Sequence, residues 1–158
     1  MNVPLYEKIW MWAAGGIIAT FIAIVLVTGV GGALQPPSHV ETIDPTRVFT
    51  DPRFAHPAVS VDANGATVVA FGMMYGFTPA EIRVPAGKRV TFRMTSTDVT
   101  HGFLIVGTNA NTMLVPGYVS QFTTVFQRPG EYLIVCNEYC GLGHHLMSAK
   151  LIVEEPKP

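Results

Sequence analysis

The feature that most constrains this chain is a long uncharged stretch near its N-terminus. No Asp, Glu, Lys or Arg occurs from Ile9 to Val40, and residues 9–34 are apolar apart from two threonines and several glycines. A helix of that length, rising about 1.5 Å per residue, crosses a hydrocarbon core of about 30 Å with some tilt. A buried helix of a soluble protein rarely stays uncharged on every face. The stretch therefore predicts a single transmembrane helix.

The residues around this stretch indicate its orientation. Trp10 and Trp12 stand at its start, where amphipathic rings favour the headgroup region, and Lys8 favours a cytoplasmic N-terminus with the rest of the chain outside. A cleaved signal peptide is the alternative, with small residues at 31–33 near a possible cleavage point. The apolar region of a signal peptide normally runs about 7–15 residues, so the longer stretch favours a retained anchor.

Two further segments follow the predicted anchor, residues 1–35. Prolines and aspartates interrupt residues 36–63, which we expect to be a linker laid over a domain. Residues 64–158 carry short β-rich runs between turn residues, and this pattern predicts a mainly β domain, a small antiparallel sandwich or barrel. The predicted strands are 67–75, 89–96, 103–106, 119–127, 131–136 and 149–153.

The charge of the chain excludes one class of partner. The formal net charge is −1, with no run of like charges. A nucleic-acid binder needs clustered basic residues to neutralise phosphates, so we expect no nucleic-acid partner.

Residues 136–147 concentrate potential metal ligands. Cys136, Cys140, His144 and Met147 supply two thiolates, an imidazole and a thioether within twelve residues. This soft set suits copper better than magnesium or calcium, which prefer oxygen. Because the segment lies between two predicted strands, it is a loop that can preset ligand geometry.

Each of these residues also has an ordinary explanation. The two cysteines could form a disulfide outside the cell, Met147 could be a core residue, and only one of His144 and His145 need be a ligand. Zinc is open as well, since Cys₂His₂ sites are common, although zinc does not use Met. Four independent coincidences within twelve residues are less plausible than one metal site.

A site of this kind needs a second histidine, and His101 is the candidate. It lies at a turn into a predicted strand, where a hydrogen-bonded structural histidine is the alternative. Asp98, three residues earlier, could orient His101 or simply cap the turn. His39 and His56 lie in the predicted linker and carry no site hypothesis.

The combination resembles subunit II of the haem–copper oxidases. The resemblance rests on Cys-x-Glu-x-Cys-Gly-x-x-His-x-x-Met over residues 136–147 and Asp-Val-x-His over residues 98–101. The order of anchor, linker and domain is similar too, so the resemblance covers nearly the whole chain. The single predicted helix looks like the shorter B-type members and differs from the helical hairpin of mitochondrial-like members.

The resemblance implies a cupredoxin-like Greek-key β-sandwich or barrel with a dinuclear copper A centre. Two thiolates would bridge the copper ions, one histidine would ligate each copper, and a methionine sulfur and a backbone carbonyl would be weaker ligands. In that order the residues are Cys136, Cys140, His101, His144, Met147 and Glu138. A blue single-copper site would need only one cysteine.

The resemblance also implies a function and a location. The chain would accept electrons from cytochrome c and pass them to haem in subunit I, where oxygen is reduced to water with proton pumping. It would cross the cell's inner (plasma) membrane once, with the copper domain on the outer, periplasmic side.

The resemblance also implies roles for two acidic residues. Glu7, the only acidic residue before the predicted span, looks like a glutamate at the mouth of the proton-uptake channel that B-type members form with subunit I. The alternative is a helix-end residue that pairs with Lys8. In many members a Glu at the position of Glu138 also reaches a magnesium ion at the boundary with subunit I, but short single-helix members can lack that ion.

The donor-docking region departs from the family. Residues 71–77 read Phe-Gly-Met-Met-Tyr-Gly-Phe, without the Trp of the aromatic cluster through which many members receive electrons. Excluding Glu7 and Lys8, the chain has nine basic and ten acidic residues (10 less 1 and 11 less 1). We therefore expect docking at an apolar patch around Met73, Met74 and Tyr75, unless these are core residues.

Functions from other classes stay open at this point. A membrane-tethered copper-storage or copper-delivery protein would use the same ligand types, but a delivery site should be exposed and exchange its metal. A copper A domain of a nitrous oxide reductase is disfavoured because the chain has no room for a catalytic-copper domain. A quinol-oxidase relative is disfavoured because such proteins have lost the copper ligands.

Overall fold

One long helix stands at the N-terminus of the computed structural model, which describes residues 4–31 and 41–155. This helix, α1, runs Leu5–Gly31. Leu5–Gly29 is long and apolar enough to cross a membrane, and none of it is buried within the chain. The predicted single apolar helix is thus confirmed. Pro36, Pro37, His39 and residues 32–33 of the possible cleavage point lie outside the described residues, whereas Pro45, Pro52 and Pro57 of the predicted linker are described.

Within residues 41–155 the structure has ten strands and two short 3₁₀ helices, at Pro45–Arg47 and His144–Leu146. The strands are β1 Val59–Val61, β2 Gly65–Met73, β3 Gly76–Thr78, β4 Glu81–Pro85, β5 Arg89–Ser96, β6 His101–Ile105, β7 Asn111–Leu114, β8 Ser120–Val125, β9 Gly130–Val135 and β10 Ser148–Glu154. Each of the six predicted strands is present, four others were missed, and the mainly β fold class is confirmed.

The strands form two five-stranded sheets. The first has the order β1-β2-β5-β8 with β3 paired to β2, and the second has the order β4-β10-β9-β6-β7. The predicted antiparallel pairing holds for the other strand pairs but not for two, because β2 pairs with β5 in parallel and so does β4 with β10. Parallel neighbours need a long connection between them, and β3 and β4 lie within the connection from β2 to β5. The four missed strands have only three to five residues and carry too little alternation to be recognised, and alternation does not reveal which strands pair.

The main core consists of alternate side chains of both sheets. In β5, Val90, Phe92 and Met94 are fully buried while the residues between them are partly exposed. Phe92 stacks on Phe122 with ring centroids 4.9 Å apart, and the second sheet contributes buried residues such as Phe103. The period of two places one face of each sheet in the core, and this core includes both cysteines.

A second, smaller core covers β2. Ile43, Val48 and Phe54 are buried against Phe71 and Val119. Residues 41–58, which belong to the predicted linker, therefore pack on the domain through apolar side chains even though little of the segment is regular. The predicted boundaries at residues 35/36 and 63/64 stay predictions.

Candidate metal centre

A closed loop between two antiparallel strands carries most of the predicted ligands. Val135 at the end of β9 pairs with Ser148 at the start of β10. Just inside that pair, the backbone N–H of Cys136 donates to the carbonyl of Met147 at 3.2 Å. The twelve-residue loop 136–147 is thus fastened at both ends to the sheet.

Two free thiols lie at the centre of the site. Cys136 and Cys140 are 7% and 5% exposed, and their sulfur atoms are 3.7 Å apart. That separation is well beyond a disulfide bond of about 2.05 Å. Two thiolates so placed can both ligate an ion at about 2.3 Å from each sulfur, the distance typical of a metal–thiolate bond.

One imidazole lies near each thiol. The Nδ1 atom of His101 is 4.0 Å from the sulfur of Cys136, and the Nδ1 atom of His144 is 3.7 Å from the sulfur of Cys140. His101 comes from the start of β6 and is fully buried, whereas His144 opens a 3₁₀ helix in the loop and is half-buried. The two histidines approach the thiol pair from different elements.

Two further predicted donors adjoin the thiols. The thioether sulfur of Met147 is 3.7 Å from the sulfur of Cys140, and the backbone carbonyl oxygen of Glu138 is 3.1 Å from the sulfur of Cys136. Met147 is buried. All six predicted ligand residues therefore present their donor atoms to one small volume.

The carboxylate of Asp98 sets the orientation of His101. Nε2 of His101 donates to Oδ1 of Asp98 at 2.8 Å, which leaves Nδ1 free to face Cys136. Burial raises the pKa of Asp98, but hydrogen bonds from His101 and from the backbone N–H groups of Met74 and Val99 outweigh it and lower the pKa below its ordinary value. An ionised carboxylate that holds the outer nitrogen is the usual partner of a metal-binding histidine.

Burial also affects the thiol of Cys140. In the absence of a metal, burial and the neighbouring Cys136 thiol raise the pKa of Cys140 to about 11. A thiol must lose its proton to bind a metal ion. A cation in this site would replace that proton and neutralise the charge of the buried thiolate.

Close backbone packing joins the loop to β6. A Cβ atom added at Gly102 would collide with Oδ1 of Asn137 and lie 2.9 Å from the backbone nitrogen of Glu138. The amide of Asn137 also donates to Oδ1 of Asn111 at 3.3 Å. This contact was not predicted from the sequence, although a glycine directly after a candidate ligand could have indicated a close approach.

Other predicted residues lie away from the thiol pair. The side chain of Glu138 points outward and is exposed, as is His56, and Glu7 lies in the first turn of α1. In the predicted docking patch, Met73 packs beside the second core, while Met74 and Tyr75 are 48% and 41% exposed. The expectation of an apolar surface therefore holds for two of its three residues.

Comparisons with known sequences point to one family. Residues 68–155 match the sequence profile described as cytochrome c oxidase subunit II, periplasmic domain. A cytochrome c oxidase subunit 2 of Thermus thermophilus is 40% identical over 156 residues, which cover 95% of this chain and 92% of the relative.

Solved structures agree. A chain in the cryo-EM structure of a haem–copper terminal oxidase dimer aligns with a TM-score of 0.65 and 31% identity, covering 94% of this chain and 99% of that one. The periplasmic domain of cytochrome oxidase subunit II from Bradyrhizobium japonicum aligns with a TM-score of 0.54 over 61% of this chain and 88% of that one. At 20% identity the latter likeness bears on fold alone, and the predicted cupredoxin-like β-sandwich is confirmed. The chain belongs to the family of cytochrome c oxidase subunit II.

Proposed function

We propose that this chain accepts electrons from cytochrome c at a dinuclear copper A centre and passes them to haem in subunit I. There they would serve the reduction of oxygen to water, coupled to proton pumping. The observation that carries the proposal is the pair of free thiols 3.7 Å apart, each with the Nδ1 atom of a different histidine beside it.

The donor set fits copper better than the alternatives. Two thiols and a thioether are soft ligands, and imidazole also suits copper, so the set selects copper over magnesium or calcium. Cys136 and Cys140 would bridge the ions, His101 and His144 would hold one each, and Met147 would be a weaker ligand. The carbonyl of Glu138 would complete the set.

The positions of the histidines argue against one tetrahedral zinc ion. The ligand atoms of His101, Cys136 and Cys140 lie within 4.8 Å of one another, a set that leaves out His144. A single tetrahedral ion with bonds of about 2.0 to 2.3 Å would draw four ligand atoms to within about 4 Å of each other. One imidazole at each end of the thiol pair is the arrangement expected for two ions.

When bound, the copper pair would supply one-electron redox chemistry. The chain's contribution is to hold the donors still: β6 carries His101, the β9–β10 base fixes both ends of the loop, and Asp98 fixes the His101 ring. Rigid ligands keep structural change small when an electron arrives, and low exposure keeps water from the thiols.

Low exposure also separates this proposal from copper storage or delivery. Cys136 and Cys140 are almost fully buried in a loop closed by backbone hydrogen bonds. A site that hands metal to a partner must let that partner's ligands reach it. Burial of both thiols therefore supports a resident metal.

Family membership makes the chain part of a haem–copper oxidase, so subunit I is its partner. We propose that the anchor, residues 1–35, crosses the cell's inner membrane once. The linker, residues 36–63, and the copper domain, residues 64–158, would lie on the periplasmic side. The apolar helix Leu5–Gly29 supports the anchor.

Glu7 remains the proposed contributor to proton uptake. It lies in the first turn of α1, beside the start of the membrane-crossing segment. A carboxylate at that boundary can take protons from water and pass them to a buried polar chain in a partner. In the assembled oxidase, Glu7→Gln should slow oxygen reduction while the donor still reduces copper A quickly. Full turnover would leave Glu7 as an ordinary helix-end residue.

A magnesium role for Glu138 stays a prediction. Its carboxylate is exposed on the outside of the loop, and only its carbonyl faces Cys136. An exposed carboxylate is free to meet an ion at a subunit boundary. Unchanged magnesium content and activity in Glu138→Gln oxidase would rule the role out.

The direct test of electron acceptance is stopped-flow mixing of the copper-loaded chain with reduced cytochrome c. We expect oxidation of the cytochrome in step with reduction of the copper centre, and no such reaction in Cys140→Ser, because a hydroxyl cannot replace a bridging thiolate. A copper-loaded wild-type chain that leaves cytochrome c reduced would contradict the proposal.

A further inference from the structure

The ring of Tyr75 lies directly against the ligand loop. Tyr75 belongs to the two-residue connection between β2 and β3. A Cβ atom added at Gly143 would lie 2.5 Å from Cδ2 and 2.6 Å from Cγ of this ring, and one added at Gly141 would lie 2.7 Å from its hydroxyl oxygen. One aromatic ring thus covers two backbone positions of the loop.

Gly141 and Gly143 exclude a side chain for different reasons. Gly141 has a φ of +128°, a conformation that strongly favours glycine whatever lies nearby. Gly143 has φ −89° and ψ 8°, which other residues can adopt. The feature that excludes a side chain at Gly143 is the ring of Tyr75, so the contact is a packing requirement of its own.

The connection that carries Tyr75 is tied to the other end of the site. The backbone N–H of Met74 donates to Oδ2 of Asp98 at 2.6 Å, and Oδ1 of the same carboxylate accepts from Nε2 of His101 at 2.8 Å. One carboxylate therefore fixes both His101 and the residue next to Tyr75. Tyr75 extends this link to the loop segment that precedes His144, through its contacts at Gly141 and Gly143.

The loop has few other restraints in this region. Its internal backbone hydrogen bonds are short-range: the N–H groups of His144, Leu146 and Met147 donate to the carbonyls of Gly141, Gly143 and His144, in that order. Leu142 and Leu146 are 88% and 72% exposed, so they contribute little packing. A segment with so few buried contacts opens easily unless something covers it.

We propose that Tyr75 is a positioning residue that clamps residues 141–143 and thereby holds Cys140 and His144 in register with Cys136 and His101. Its importance for copper rests on the proposed function, but the clamp itself is a property of the folded chain. The ring provides the contact, and the hydroxyl is secondary.

Hydrogen exchange of the metal-free full chain in detergent tests the clamp without copper. In Tyr75→Ala, the amides of His144 and Leu146 should exchange faster by about tenfold or more, because the segment loses its cover. Tyr75→Phe, which keeps the ring, should stay near wild type. Tyr118→Ala removes a tyrosine of similar exposure between β7 and β8 and is the matched control. Wild-type exchange in Tyr75→Ala would overturn the proposal.

A second comparison remains informative if Tyr75→Ala is poorly folded. Gly143→Ala should speed exchange of the same amides, because its Cβ collides with the ring, and this effect should shrink markedly in the Tyr75→Leu background, which relieves the collision. Additive effects would mean that ring and glycine do not interact, and would overturn the clamp. Protection of the β5 amides reports that the sheet is intact in every variant.

The copper-loaded chain completes the test. We expect Tyr75→Ala to release copper to a chelator about tenfold faster than wild type, since loop opening exposes the ligands. Tyr75→Phe should release it at the wild-type rate. Equal release rates in Tyr75→Ala and wild type would contradict the clamp. If wild type binds no copper, the proposed function fails, while the exchange experiments still decide whether Tyr75 clamps the loop.

Discussion

The two ends of the candidate metal centre are held in different ways. His101 is fully buried at the start of a strand, and Asp98 fixes its ring. His144 is half-buried in a short 3₁₀ helix, beside the 72%-exposed ring of Tyr139 at a centroid distance of 5.8 Å. We call these the sheet end, with His101 and Cys136, and the loop end, with Cys140 and His144.

This difference means that the two ends of the site depend on different parts of the fold. At the sheet end, formation of β6 and β9 brings the donors together, and Gly102 allows the loop to lie against the strand. At the loop end, the positions of the donor atoms depend on whether the segment that carries the exposed leucines stays closed. A site built in this way should respond differently to equivalent changes at its two ends.

The largest expected difference comes from replacing each histidine by alanine in the metal-free chain. His101→Ala empties a buried position and removes the partner of Asp98, so the free energy of unfolding should fall by about 3 kcal/mol. His144→Ala changes a partly exposed loop residue and should alter it by no more than about 0.5 kcal/mol. Denaturant unfolding followed by circular dichroism measures both. Equal losses would remove the distinction between the ends.

Asp98→Asn should have a smaller effect, with the direct loss of hydrogen bonds at His101 of the sheet end and at Met74. An amide cannot accept from His101, Val99 and Met74 at once, because its NH₂ group is a donor, so we expect a loss of about 1 to 2 kcal/mol. Copper binding should persist with an altered hyperfine pattern. Asp62→Asn is the matched control, since Asp62 accepts backbone bonds in a surface turn. A wild-type unfolding curve for Asp98→Asn would show that the carboxylate is dispensable.

Docking of the electron donor should involve the loop end, because the apolar surface lies there. Exposed side chains there and in the adjoining turn are Tyr139, Leu142, Leu146, Met74 and Tyr75. With a nearly neutral chain, the rate of reduction by cytochrome c should change less than about threefold over a tenfold range of ionic strength. Stopped-flow kinetics measure this rate. A steep fall with salt would mean that charged residues guide docking.

The smallest effect is expected from a region that belongs to neither end. The Glu41 carboxylate bonds Arg53 and Arg93, both at 2.7 Å, and so ties residues 41–58 to β5. Burial raises the pKa of Glu41, but these bonds outweigh it and lower the pKa below 4.5. Its stabilising contribution is therefore present above about pH 4.5 and is lost as pH falls below that value.

Glu41→Gln should cost no more than about 1 kcal/mol at neutral pH, as is usual for partly exposed ion pairs, and should leave copper binding unchanged. Acid unfolding of wild type and variant should converge as the pH falls. A loss of copper in Glu41→Gln would mean that the segment 41–58 supports the site directly.

Sequence reasoning could predict the parts of the molecule that depend on local pattern. The uncharged stretch predicted α1, and alternation predicted β5 at its observed bounds. Residue types and spacing also predicted that His101 meets the Cys136–Met147 loop, and their donor atoms lie within a few ångströms of one another. The ligand roles themselves stay predictions.

What could not be predicted depends on contacts between distant segments. The parallel pairing of β4 with β10 joins three-dimensional neighbours about 70 residues apart in sequence. The packing of Phe54 on Phe71 turns an irregular segment into a second core. The contact of Tyr75 with Gly143 is visible only once the β2–β3 connection meets the loop. Local sequence propensity does not encode such contacts between distant segments.

The central claim is that both ends of the site act on one dinuclear copper centre. Copper quantitation together with electron paramagnetic resonance of the oxidised full chain tests it most directly. We expect two copper ions per chain and a hyperfine pattern of one unpaired electron shared equally by both nuclei, a signal that disappears in Cys136→Ser and Cys140→Ser. One copper ion per chain with the localised spectrum of a blue site would contradict it.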